Sequence, residues 1–123
     1  RVVRRPLLGL DFDGTMVRHE YPDIGEQLPG SVACVERIIE LGWDVVLFTA
    51  RSGSDLEEAV AWCEARFELF AVNCNPYWDS PPSKPSFDLV IDDVAVGTPL
   101  DANGSVDWPA IWPMIERRMK RGR

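Results

Sequence analysis

The chain lacks any apolar run near the ~18 residues that a membrane-spanning helix needs. It has no internal repeat and no low-complexity stretch. No secretory signal is visible, and the chain opens on Arg1 rather than Met, so residues can precede it. Its three cysteines, Cys34, Cys63 and Cys74, are odd in number and lack CxxC spacing, which argues against a metal or redox role. They read as reduced, buried thiols and predict a cytoplasmic protein. Basic residues are scarce in the body of the chain. Of 13, eight sit at the two ends, and five remain between Pro6 and Glu116 against 20 acidic residues. Such a body repels nucleic acid at long range. The basic ends read as solvated termini, with an anion-binding patch as the lesser reading.

What is present fits one domain: 123 residues, 46% of them hydrophobic, enough for a real core. Strand-like and helix-like pieces alternate, which predicts an α/β fold with a mostly parallel sheet. Strands are expected within residues 2–10, 43–48, 69–72 and 87–91, and helices over 30–41 and 55–67. Ser31 is the expected cap of the first helix, whose inward face is Val32, Val35, Ile38 and Ile39. Leu56, Ala59, Val60 and Cys63 face inward on the second. A last helical stretch covers about 107–120, where Pro113 predicts a break: a short turn, then a helix from Pro113. Residues 73–86 form a loop with four prolines, long enough to be functional or mobile.

The most informative stretch is Leu7-Leu8-Gly9-Leu10-Asp11-Phe12-Asp13-Gly14-Thr15. An apolar strand ends in two carboxylates one residue apart. Residues i and i+2 of a strand share a side, so Asp11 and Asp13 can share one space. Two crowded acids repel unless a cation sits between them, and a hard divalent metal is the first candidate. Two other strands end in polar groups, one at Thr49 and one at Asp92 and Asp93. In open parallel sheets, ligands bind beyond the carboxyl ends of the strands, so these residues are expected to converge.

Taken in order, Asp11-Phe12-Asp13-Gly14-Thr15, Phe48-Thr49-Ala50-Arg51, Lys84 and Ile91-Asp92-Asp93 resemble the four motifs of the haloacid dehalogenase superfamily. The match spans residues 7–93. The resemblance implies a Rossmann-like three-layer sandwich and a phosphatase. Asp11 would attack phosphorus and become a transient aspartyl-phosphate. Asp13 would protonate the leaving oxygen and then activate water. Thr49 would hold the phosphoryl oxygens, and Lys84 would neutralise charge. Gly14, Thr15, Ala50 and Arg51 would lie on the substrate side, with pairing to a carboxylate equally open for Arg51. The implied cofactor is Mg2+, held by the Asp11 carboxylate, the Asp13 backbone carbonyl and Asp93, with Asp92 behind it. That division leaves the Asp13 side chain free for protons.

The physics agrees with these roles, because phosphoryl transfer depends on charge neutralisation and in-line positioning. An ordinary reading stands beside each: turn acids for the two Asp pairs, a strand-end threonine, a solvated loop lysine. Arg18 and His19 read as solvated loop residues. Tyr77 and Trp78 either stack on a substrate ring or pack the loop on the body.

Neither 15–30 nor 51–84 has room for an inserted domain, so no separate cap is expected over residues 1–123. An open site suits a large substrate or a partner subunit as cover, for instance a homo-oligomer. The expected partner is a small phosphorylated metabolite or nucleotide, with nucleic acid disfavoured and no membrane. The rivals are a phosphotransferase, a nucleic-acid end phosphatase, a non-catalytic module and a response-regulator receiver. A receiver places its acid pair before the phospho-accepting Asp, whereas here an acid pair follows Lys84.

Overall fold

The computed structural model describes residues 4–77 and 87–121. Its elements run β1 (Leu7–Leu10), α1 (Ser31–Glu40), β2 (Asp44–Leu47), α2 (Gly53–Glu64), β3 (Ala71–Val72), β4 (Leu89–Ile91) and α3 (Trp108–Arg121). All four strands are parallel, in the order β3-β2-β1-β4. The described residues form a small Rossmann-like α/β domain with no cap among them. Among the described residues, no helix is long and apolar enough to cross a membrane.

β1 takes the centre because it is apolar on both sides: Leu7, Leu8 and Leu10 are all fully buried. Leu8 lies level with Val45 and Leu89, and Leu10 with Leu47 and Ile91. These alternate positions form one core with Val35 and Ile38 of α1, Ala59 and Cys63 of α2, and Ile111 and Ile115 of α3. The described helices therefore serve one face of the sheet, so the described residues show two layers of the expected three-layer sandwich. On the other face, the Phe87 ring lies where any side chain at Gly9 would collide with it, so only glycine fits at the middle of β1.

Three local expectations are corrected. Ser31 does not cap α1: Gly30 takes the cap position, and the buried Ser31 hydroxyl donates to the Met16 carbonyl at 3.0 Å. That bond ties the helix start to the loop after β1. α2 begins at Gly53, two residues earlier than its acidic turn suggests. α3 runs unbroken through Pro113. Its start is capped by Asp107, whose Oδ1 accepts the Ala110 N–H at 3.1 Å. An interior proline costs ~3 kcal/mol. The stripe Trp108, Ile111, Ile115 and Met119, buried on the core, offsets that cost.

All three cysteines are free. Cys63 is buried, and burial pushes its thiol up to about 12, so it is inert packing. Cys34 is half-buried, and Cys74 is exposed in the loop after β3, against expectation.

β1 has β2 on one side and β4 on the other, and the chain reaches them by connections that leave in opposite directions. The carboxyl end of β1 is thus the switch point of the sheet, where a crevice opens.

Candidate active site

The chain leaves β1 at Asp11, whose N–H still donates to the Ile91 carbonyl at 3.0 Å. A tight turn follows. The Gly14 N–H donates to the Val17 carbonyl at 2.8 Å, and the Met16 N–H to Phe12 at 2.8 Å. Gly14 sits at φ 81°, and a β-carbon there would overlap the Asp93 carboxylate. Glycine is needed on both counts.

Thr15 is the peg of the site. Its buried hydroxyl donates to Asp11 Oδ2 at 2.8 Å and accepts the Asp93 N–H at 3.1 Å. Its carbonyl accepts the Trp108 indole N–H at 2.6 Å, so α3 braces the same turn. Gly14 and Thr15 were expected on the substrate side, and the structure corrects both. Each is buried, and their polar groups are committed to holding the loops after β1 and β4 together.

Asp11, Asp92 and Asp93 converge, each offering an oxygen within 4.8 Å of the others. Asp92 also receives the Val94 N–H at 3.0 Å. Burial pushes the Asp11 carboxyl up to about 7, outweighing the Thr15 hydrogen bond, and the Asp92 and Asp93 charges push it further. Burial raises Asp93 as well, with Asp92 beside it adding to the shift. The three acids crowd together with no positive side chain hydrogen-bonded to them among the described residues. Three carboxylates at this spacing suit a hard divalent cation of the Mg2+ type.

Asp13, two residues on, has the opposite surroundings. Arg51 grips both its oxygens, Nε on Oδ2 at 2.7 Å and Nη2 on Oδ1 at 2.7 Å. The remaining guanidinium donors reach the carbonyls of Pro22, Asp55 and Asp23 at 3.1, 3.3 and 3.0 Å. The Phe12 and Tyr21 rings lie 5.2 and 5.0 Å from the guanidinium carbon. Asp13 was expected with a free side chain, and the structure corrects that. Arg51, for which a substrate contact and a carboxylate pairing were both open, lines the cleft and makes the pairing: it is buried with all five N–H groups engaged, and it latches Asp13 to the loop at 22–23 and the start of α2.

Thr49, just beyond β2, is fixed by an N–H bond to Asn73 Oδ1 at 2.8 Å. Its hydroxyl accepts the Arg51 N–H at 3.2 Å and keeps its own proton to donate. Thr49 and Ala50 line a cleft of about 660 Å³ together with Asp11, Asp13, Asp92 and Asp93. His19 lines it too, where a solvated loop position was expected. Arg51, Tyr21, Phe48 and Val94 complete the wall, and sequence reasoning did not single out Phe48 or Val94. The signal available was an aromatic residue directly before the strand-end Thr49. Tyr77 belongs elsewhere: its ring stacks on Phe70 at 5.6 Å, and Arg4 lies over it at 5.1 Å. Lys84 and Trp78 lie outside the described residues.

Arg5, in the basic segment before β1, does not line the cleft. Arg5 pairs with Asp44 at the start of β2, and Lys120 lines a small hollow with Arg37 and Trp43 at that same pole.

No protein-family model matches the chain, and no curated protein matches it. It is similar to a solved conserved protein from Bacteroides thetaiotaomicron, with 34% identity over 94% of this chain and 93% of that one, at a TM-score of 0.78. The chain belongs to that protein's family. The overlap takes in nearly all of both chains.

Proposed function

We propose that this protein is a magnesium-dependent phosphatase of the haloacid dehalogenase type, acting on a small phosphomonoester. The carrying observation is the Asp11, Asp92 and Asp93 cluster at the sheet's switch point, facing a cleft that also presents Thr49. A divalent ion bound by Asp11, Asp92 and Asp93 would supply the positive charge that lets an anionic nucleophile approach an anionic phosphate. It would also relieve the burial penalty that lifts Asp11.

Within this reading, an Asp11 oxygen attacks phosphorus and the bond to the leaving oxygen breaks. The Asp11 acyl phosphate that forms is then hydrolysed by water, regenerating the carboxylate. Thr49 donates its hydroxyl proton to a phosphoryl oxygen. Asp13 lines the same cleft, and the Arg51 fork aims its oxygens as acceptors, which suits taking a proton from the attacking water. Protonating the leaving oxygen through Asp13 requires one of its oxygens to leave Arg51.

The test is a phosphoester panel assayed with Mg2+ on the native protein and on Asp11→Asn. The expected result is metal-dependent turnover that falls at least ~10³-fold in the variant, with an unchanged circular dichroism spectrum. Turnover retained by Asp11→Asn would remove the nucleophile assignment and the reading with it.

A further inference from the structure

The cleft carries more apolar surface than phosphate chemistry needs. A phosphoryl group asks for cations and N–H donors, yet the wall facing the carboxylates presents Tyr21, Phe48 and Val94, which are 52%, 37% and 82% exposed. They come from three different segments, the loop after β1, the end of β2 and the turn after β4. Exposed large apolar side chains gathered in one concavity mark a binding surface.

Both rings are held in place. The Tyr21 hydroxyl donates to Asp55 Oδ2 at 3.0 Å, while its ring lies over the anchored Arg51 guanidinium. Phe48 is braced by Phe87, ring centres 5.6 Å apart and planes at 61°. A ring fixed before the ligand arrives loses little freedom on binding, so such a wall favours flat, rigid partners. An aromatic face also prefers another π-system to a polyhydroxylated chain.

We infer that the substrate is a small phosphomonoester whose leaving group carries a flat aromatic ring, a nucleoside being the biological form of that chemistry, and that Phe48 and Tyr21 receive the ring. This deepens the phosphatase reading and rests on it. The acidic body and the distance of Arg5 and Lys120 from the cleft favour a mononucleotide-sized ligand over a nucleic-acid end.

The test compares adenosine 5′-monophosphate with ribose 5-phosphate in the presence of Mg2+. Their leaving oxygens are alike, so the ratio of kcat/KM isolates the ring. A preference of about tenfold or more for the nucleotide is expected, in the range of base–aromatic stacking. In Phe48→Leu the ratio should fall several-fold; leucine keeps an apolar contact for Phe87. Equal turnover of the two compounds, or a ratio untouched in both Phe48→Leu and Tyr21→Leu, would overturn the inference and leave the phosphatase reading standing. Faster turnover of a 5′-phosphorylated oligonucleotide than of the mononucleotide would also overturn it.

If no phosphoester in the panel is turned over, the phosphatase reading has failed on its own. Calorimetric titration of the same two compounds then decides the question of the ring. Tighter binding of the nucleotide keeps the aromatic wall as a ligand site, and equal affinity removes it.

Discussion

Two carboxylates two residues apart, Asp11 and Asp13, meet opposite fates. Asp13 receives a buried, bidentate guanidinium and has every demand met. Asp11 receives a hydroxyl, two further carboxylates and a site that burial makes hostile to its charge. A strand explains why both point the same way, but not why only one is compensated. Among the described residues, a guanidinium holds both oxygens of Asp13, while no cation is hydrogen-bonded to Asp11, Asp92 or Asp93. Crowded acids at a sheet's switch point are therefore the feature that locates the candidate chemistry, and the Arg51 pair fixes Asp13 in place beside them.

The strongest way to break this comparison is Arg51→Met. The methionine keeps apolar bulk but removes five donors, leaving the Asp13 carboxylate, only 13% exposed, without a counter-charge. Removing one partner of a buried pair costs about 3–5 kcal/mol. The carbonyls of Pro22, Asp23 and Asp55 lose their donors as well. Denaturant unfolding should show a loss of that size. Arg51→Lys, which restores a charge but not the fork, should fall between the two proteins. A loss below about 1 kcal/mol for Arg51→Met would mean that Asp13 is not held as described.

The framework was legible in the sequence because it rests on patterns with a period. The apolar run before Asp11, the helical spacing of Val35 and Ile38, and the strand-end placement of Thr49 and Asp92 all follow from side-chain direction along one element. What escaped was long-range. For Arg51 a substrate contact and a carboxylate pairing both stayed open, because nothing local reveals that Pro22, Asp23 and Asp13 fold around it. Thr15 and Gly14 read as substrate-side for the same reason. Their partners, Asp93 and Trp108, lie 78 and 93 positions away. The unbroken α3 was hidden by a local rule, since the proline penalty is visible in sequence and the burial that outweighs it is not.

The metal half of the comparison sharpens through pH. The folded Asp11 carboxyl is raised to about 7 from an ordinary 3.8. In metal-free protein its contribution to stability is therefore fully present below about pH 4 and is lost as pH rises through 7. A bound cation removes that penalty but must displace the proton first. The rise in melting temperature on adding Mg2+ should thus be small at pH 5 and grow to its full size by pH 8. At a free concentration 100 times the dissociation constant, binding to the folded state alone adds about 2.7 kcal/mol. A shift that is the same at pH 5 and pH 8, or larger at pH 5, would separate Asp11 from the metal.

The smallest expected effect comes from the far pole of the sheet. Arg5 also meets a carboxylate, its Nη1 standing 3.4 Å from Asp44 Oδ1, and its Nε–H donates to the Gly42 carbonyl at 2.9 Å. Its side chain is 47% exposed, against 1% for Arg51. Water screens the first pair, and the entropy of fixing a long side chain offsets most of what remains. Arg5→Ala should therefore cost no more than about 1 kcal/mol and leave Mg2+ binding unchanged. The same two residue types are joined in both places, so burial and the fork are the variables that differ. If Arg5→Ala cost as much as Arg51→Met, the contrast would come from something other than burial, and the account of Asp13 as an acid held by its buried pair would lose its physical basis.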